Sequence, residues 1–289
     1  VIEAIANLYS APESEPIGKV FAFAGAKGGS GSSTIAHNFA WALSTQVGIA
    51  ATLVDLDLPF GTAGLDFNQD PVKGVADALL APERLDDLLL ERLLVRAGEK
   101  LHLFAAPAVL DRDYDIDPQS FDTVMDIVRA SSPAVVVDVP HGWNAWTRQT
   151  LMGADEIIVT ATPDLASLRN AKNIFDVFTS ARPNDAKPRL ILNQVGVVKR
   201  PEIPVKDFGE ALGVEPILVL PFDPQLFGTA ANNGQMLAQL NAQSRAAQGF
   251  LHVARLLTGR ESAPESKGKR DSIFKFLGAL NKKPMKKAG

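Results

Sequence analysis

The sequence predicts an α/β fold: a mostly parallel, doubly wound sheet with helices on both faces. Two observations predict it. Short apolar runs that suit buried strands alternate with segments of helical spacing from residue 19 to residue 257. The first of these runs leads into a glycine-rich loop and then a helix, the order of a mononucleotide-binding unit.

Taken in order, Lys19 to Ala24 is the first strand, with Val20, Phe21 and Phe23 as its apolar members. Residues Ala26 to Thr34 read Ala-Lys-Gly-Gly-Ser-Gly-Ser-Ser-Thr. Thr34 to Leu43 follows as a helix, because Ile35, Ala36, Phe39, Ala40 and Leu43 recur at helical spacing without proline or glycine. Further strands are predicted at Ala51 to Asp55, Leu101 to Ala105, Ala134 to Asp138, Glu156 to Thr160, Arg189 to Asn193 and Ile217 to Leu220. Helices are predicted at Val75 to Leu80, Leu85 to Val95, Pro118 to Ala130, Leu165 to Thr179, Val205 to Leu212 and Gly234 to Leu257.

The loop at 26–34 is where the chemistry concentrates. In a standard phosphate-binding loop, G-x-x-x-x-G-K-[ST], glycines let backbone N–H groups converge on phosphate oxygens and a lysine reaches the terminal phosphates. Here Gly28, Gly29 and Gly31 keep the close backbone approach. Ser33 keeps the hydroxyl that a magnesium ion takes, and Ser30 and Thr34 complete the segment. Ser32 stands where the lysine is expected, so the cradle is retained without its usual point charge.

Two strands end in aspartate close to this loop in such a sheet. Asp55 and Asp57 end one, and Asp138 ends another after Val135-Val-Val. An apolar run closed by aspartate is the usual form of a second nucleotide motif, whose carboxylate holds magnesium directly or through water. His141 lies in a glycine-containing turn and reads as a surface or packing residue, and His37 and His102 read as structural. Four histidines, no cysteine and no H-E-x-x-H pattern speak against zinc. Trp143 and Trp146 fit either core anchors or a partner surface.

Composition sets outer bounds. With 46% hydrophobic residues in 289, one large α/β domain with appendages fits best. The absence of cysteine rules out disulfides and suits a reducing cytoplasm. No apolar run approaches the roughly 20 residues needed to span a bilayer. Residues 260–289 hold nine basic and three acidic residues, a net of +6, which leaves −10 for residues 1–259 of a chain carrying −4 overall. An acidic body disfavours non-specific nucleic-acid binding, whereas a basic tail suits an anionic membrane. The tail also places Ile273, Phe274, Phe276, Leu277 and Leu280 on one face of a predicted helix over 272–281, flanked by lysines. A membrane surface or a protein partner would each suit that face. Val1 opens the chain, and Ala11 to Gly18 reads as a linker, either a loose terminus or a domain junction.

With these residues in view, the sequence resembles the ParA/MinD family of deviant Walker A ATPases, a P-loop NTPase-like group. The resemblance covers about residues 19 to 258. The early lysine of K-G-G-S-G-S-S-T, Lys27, matches the family's signature lysine, which contacts the partner subunit's nucleotide across an ATP-sandwiched dimer. Asp57 matches the switch I aspartate that positions the attacking water, and Asp138 the Walker B position. Asn193 resembles the adenine-recognising asparagine, and Pro221-Phe-Asp223 a second base-contacting loop. Thr162 to Asn170 is similar to the segment after the following strand.

Serine at position 32 narrows the resemblance to the CpaE/TadZ branch, whose members help place the Tad (Flp) type IV pilus machinery at a cell pole. Members of this branch often carry an N-terminal receiver-like domain, so residues 1–18 are expected to be a linker or its remnant, 19–259 the ATPase domain and 260–289 a flexible basic tail. The resemblance implies ATP and Mg2+ as ligands, with Ser33, Asp57 and Asp138 on the metal. It implies a homodimer that meets pilus components and a polar landmark, no nucleic acid, and a cytoplasmic, peripheral inner-membrane location at a pole. Lys27, Asp57 and Asp138 are the expected catalytic set. Hydrolysis is expected to be weak or lost, since removing a preorganised cation from a phosphoryl-transfer site costs a few kcal/mol of transition-state stabilisation. A MinD-like division-site or flagellar-placement ATPase and a ParA-like partitioning ATPase are the alternatives.

Overall fold

The computed structural model describes residues 17–106, 110, 114 and 116–260. The first 16 residues and the amphipathic segment 272–281 lie outside these residues, and with them Ile273, Phe274, Phe276, Leu277 and Leu280.

The strands are β1 (Lys19–Gly25), β2 (Ala51–Asp55), β3 (Val95–Arg96), β4 (Leu101–Phe104), β5 (Ala134–Val139), β6 (Glu156–Ala161), β7 (Arg189–Val195) and β8 (Pro216–Pro221). They form one sheet in the order β3-β4-β2-β5-β1-β6-β7-β8. All neighbours are parallel except the short β3, which pairs antiparallel with β4. β1 sits between β5 and β6, with Phe23 beside Asp138 on one side and Ile158 on the other. At this point the strand order reverses, and in open parallel sheets the crevice beyond such strand ends is where ligands bind.

Period-two alternation along the strands divides the core between the two faces. Val20, Ala22 and Ala24 of β1 join Val135, Val137 and Val139 of β5 on one face, under α5 (Pro118–Ser131), α7 (Leu165–Ala181) and α8 (Val205–Leu212). Phe21, Phe23 and Val136 face the other way, under α1 (Ser32–Trp41) and α11 (Arg245–Leu257). Phe39 of α1 closes on both β1 phenylalanines, with ring centroids 5.3 Å from Phe21 and 5.1 Å from Phe23. The end of α11 is tied to the start of β1, where Lys19 Nζ donates to Leu257 O at 2.9 Å.

The remaining helices are α2 (Ala63–Asp66), α3 (Val75–Leu80), α4 (Asp87–Leu93), α6 (Ala145–Met152), α9 (Pro224–Asn233) and α10 (Leu237–Asn241). Two predicted helices differ. The segment expected as a helix from Leu85 to Val95 becomes α4, capped by Asp86 through Leu89 N, and Val95 leaves it to pair with Leu103. The helix expected from Gly234 to Leu257 is instead two. Gly234, at φ 60°, terminates α9, and Ser244 caps a new helix by accepting from Ala247 N. α6 and α9 were not predicted, although Asn144 and Asp223 mark their starts as N-caps. Among the described residues no helix is long and apolar enough to cross a membrane.

Phe39 is fully buried between two rings of the central strand. Phe39→Ala is expected to destabilise the domain by about 3–5 kcal/mol, read as a lowered urea midpoint.

Candidate functional site: a phosphate loop beside a buried charge cluster

Gly29 and Gly31 adopt φ 76° and 86°, the left-handed region that glycine enters without strain. Gly31 caps α1, and a Cβ there would lie 2.4 Å from Asn193 Nδ2. The loop's carbonyls are tied down from outside. His141 Nδ1 donates to Gly25 O (3.2 Å), Asn170 Nδ2 to Ala26 O (2.9 Å), Gln194 Nε2 to Gly29 O (3.0 Å) and Asn193 Nδ2 to Ser30 O (2.8 Å). Occupying the carbonyls from behind leaves the amide edge of the loop and the start of α1 to face an anion. No acidic residue lies in the first turn of α1 to cancel its positive end. The Oγ of Ser32, in the lysine position, is buried and has no partner, and Ser33 is half-buried beside it. Orphaned hydroxyl, left-handed glycines and restrained carbonyls together fit a phosphate.

The cradle is held by strand ends that local sequence does not show to be near it. The register of β7 and β8 shifts between Leu192 and Val195, and Gln194 takes φ 55°. Asn193 and Gln194 thereby both reach the loop. Asn193, expected to meet adenine, has Nδ2 on Ser30 O and Oδ1 accepting from Gln194 N at 2.8 Å. Pro221 closes β8, and Asp223 caps α9 by accepting from Leu226 N.

Lys27 Nζ is 2.6 Å from Asp164 Oδ2 within the same chain. Asp164 caps α7 through Ser167 N and also accepts from Thr162 Oγ1 at 2.6 Å. Partial burial works against its ionisation, but the hydrogen bonds from Lys27 and Thr162 prevail and hold the carboxyl down at about 2.

Behind the loop lies a second layer. Asp55 and Asp138 are paired neighbours at the ends of β2 and β5, exposed by only 1% and 2%. Asp55 organises the following turn, accepting from Asp57 N and Ala63 N, both at 3.0 Å. Burial, with the Asp138 charge added, pushes Asp55 up to about 7. Asp57 is less enclosed and accepts from Phe60 N at 3.3 Å; burial foremost raises its carboxyl above the ordinary value.

His37, read from the sequence as merely structural, lies inside this cluster. Its Nδ1 is 2.7 Å from Asp66 Oδ2, and Nε2 faces Asp138 Oδ2 at 3.5 Å, just beyond hydrogen-bonding length. Complete burial favours the neutral ring, but the Asp138 and Asp66 carboxylates outweigh it and raise His37 to about 10. The two flanking carboxylates thus favour the protonated ring. His37, Asp55 and Asp138 converge closely enough to surround one ion. With Asp66 on Nδ1 and Asp138 facing Nε2, the ring stands between carboxylates, the surroundings of a counter-charge. Asp138 Oδ1 is buried and unpartnered, an acceptor left open at the end of β5.

On the opposite face of the sheet a cavity of about 300 Å³ adjoins the loop, lined by Ala26, His141, Trp143, Asn170 and Ile174 among others. The two tryptophans part company here. Trp146 stacks on Phe121 at 4.5 Å as a core anchor, whereas Trp143 is 54% exposed at the cavity rim.

The family model described as "Cellulose biosynthesis protein BcsQ" matches residues 18–194, well over half of the chain. The chain belongs to the BcsQ family, within the ParA/MinD ATPases. The septum site-determining protein MinD of Synechocystis is 27% identical over 81% of the chain and 87% of its own length. The Bacillus subtilis MinD is 25% identical over 91% of the chain and 99% of its own. Among solved structures, a ParA family ATPase from Chlorobium tepidum superposes with a TM-score of 0.74 at 26% identity, covering 83% of the chain and 98% of that protein. MinD from Pyrococcus horikoshii, solved with Mg-ADP, gives 0.72 at 22% identity over 83% and 96%, a likeness of fold. The mostly parallel sheet of this BcsQ-family chain is thus the ParA/MinD sheet.

Sequence reasoning missed His37, Asp66 and Gln194 as parts of the site, while it named Asp55 only as a strand-end carboxylate and Asp164 and Asn170 only within the segment Thr162 to Asn170. A histidine in an otherwise apolar helix that starts at the loop was the one available signal for His37. Nothing local marked Asp66 or Gln194.

Asp164 has a folded-state pKa below its ordinary 3.8. Its contribution to stability is therefore complete above about pH 4 and is lost as pH falls through about 2. Acid unfolding followed by circular dichroism is expected to show a shallower loss over pH 4 to 2 in Asp164→Asn than in the parent chain.

Proposed function

We propose that this chain is an ATP- and Mg2+-binding switch that dimerises and positions the Tad (Flp) type IV pilus machinery near a cell pole, with slow or no hydrolysis. The observation that carries the reading is the loop itself. Its phosphate cradle is fully built and restrained at four carbonyls, while a buried serine hydroxyl replaces the lysine that would stabilise charge developing on the transferred phosphoryl group. Binding survives such a change better than turnover does. Ser33, Asp57 and Asp138 would hold the magnesium ion, which when bound neutralises phosphate charge. Lys27 supplies the remaining cation, and leaving Asp164 for a nucleotide would link ligand binding to association.

Relatives with names such as septum site-determining protein and ParA family ATPase support a positioning role. The pilus branch is favoured by Ser32 and by the run Ser33 to Ala42, Ser-Thr-Ile-Ala-His-Asn-Phe-Ala-Trp-Ala. A second reading, in which the same switch serves a cellulose-synthesis apparatus, is favoured by the description of the matching family. Loss of polar foci on deletion of the pilus genes, with foci unchanged on deletion of cellulose genes, would separate the two.

Two measurements test the switch. Light-scattering mass is expected to double with ATP–Mg2+ but not with ADP–Mg2+ or without nucleotide, and Lys27→Ala is expected to abolish the doubling. A mass that ignores ATP would favour a constitutive scaffold. The basic tail is proposed to bind an anionic membrane weakly as a monomer and more strongly when doubled in a dimer. Co-sedimentation with phosphatidylglycerol-containing vesicles is expected to require residues 270–289 and to rise with ATP; equal pelleting without the tail would remove the membrane from the proposal.

A further inference from the structure

His37 joins two parts of the molecule that are far apart in sequence. Its ring is fully buried in α1, held at Nδ1 by Asp66 of α2 and facing Asp138 of β5 with Nε2. Asp138 is thus approached at Oδ2, while Oδ1 is buried and partnerless. Asp66 is the last residue of α2, which follows the turn organised by Asp55 and containing Asp57. The same helix packs tightly on α9, where a Cβ on Gly234 would meet Leu65 O at 2.7 Å. Phe67 lies over the imidazole, with centroids 6.1 Å apart.

We propose that His37 is a positioning residue for the metal side of the nucleotide site: anchored by Asp66, it fixes the orientation of Asp138 and ties that carboxylate to α2. The inference rests on the reading that the loop binds a magnesium nucleotide. A carboxylate at a strand end rotates about its last bond unless its surroundings restrict it. The imidazole, gripped at Nδ1 by Asp66, stands 3.5 Å from Asp138 Oδ2 with Nε2 free of any hydrogen bond, and restricts that carboxylate by close packing and charge. Partners one step removed from a metal act in this way, orienting the group that meets the ion, and their loss commonly weakens metal affinity about 10- to 100-fold. Asp66 is 20% exposed at its side chain and stands outside the phosphate loop, so altering it leaves the cradle untouched.

The test titrates Mg2+ into the full chain with a fluorescent ATP analogue. Asp66→Ala is expected to raise the half-saturating Mg2+ concentration about tenfold or more. Binding of the analogue without Mg2+ should remain close to the parent value, while the thermal midpoint should fall, because the buried ring loses a partner. Asp66→Asn, which keeps an oxygen for Nδ1–H to donate to, is expected to restore most of the Mg2+ response. His37→Leu should reproduce the loss, and adding Asp66→Ala to it should change nothing further, as a double-mutant cycle requires if Asp66 acts through the ring. If His37→Leu does not fold, the Ala and Asn variants of Asp66 decide the matter between them. An unchanged Mg2+ curve in Asp66→Ala, or a loss that adds independently to that of His37→Leu, would overturn the proposal. A parent chain that shows no Mg2+-dependent binding would instead overturn the nucleotide reading, and this inference with it.

Discussion

β1 pairs in parallel on both edges and is covered on both faces, and the rest of the structure is arranged around that constraint. A strand so enclosed has no place for polar side chains along its length, which explains the run Val20 to Ala24. Its polar business must be transacted at its end. The loop therefore emerges between the ends of β5 and β6, flanked by Asp138 and Thr160 in adjacent register. Asp55 enters by the same logic, because β2 pairs with the other edge of β5 and stops level with it.

That convergence creates an electrostatic problem. Two aspartates almost without exposure stand side by side, and burying carboxylates without counter-charge is costly. A protonated His37 ring offsets part of this cost, with Asp66 stabilising its far side. The chain has lost a cation at the loop, where Ser32 stands, and favours another beneath it at His37, five residues further along α1. The two are not equivalent. A lysine in the loop would address phosphate, whereas His37 addresses the strand-end carboxylate. The loop's own cation, Lys27, rests on Asp164 at the start of α7, where a helix cap and an ion pair share one carboxylate.

Most strands were legible because their apolar runs are short and bounded by turn residues, and β2, α3 and α8 have the predicted limits. The errors have a common cause. Apolar periodicity continued through Leu85 to Val95 and through Gly234 to Leu257, while short-range polar contacts at Asp86 and Ser244 and a left-handed Gly234 set the real boundaries. α6 and α9 carry caps that sequence could have disclosed. The likeness of the loop to the ParA/MinD motif was also legible, since it needs only consecutive residues.

By itself, the sequence determined the parallel α/β sheet, the phosphate loop without its lysine, and the strand-end aspartates, because each depends on periodicity or on residues adjacent in the chain. Tertiary structure alone decided which side chains restrain that loop and which cation meets Asp138. Asn193 and Gln194 reach the loop through a register shift between two strands more than 160 residues beyond it. Protonation of His37 is favoured only because folding brings Asp66 and Asp138 to its two nitrogens at once. Burial makes such a charge expensive, so its presence depends on partners that no local pattern could have named.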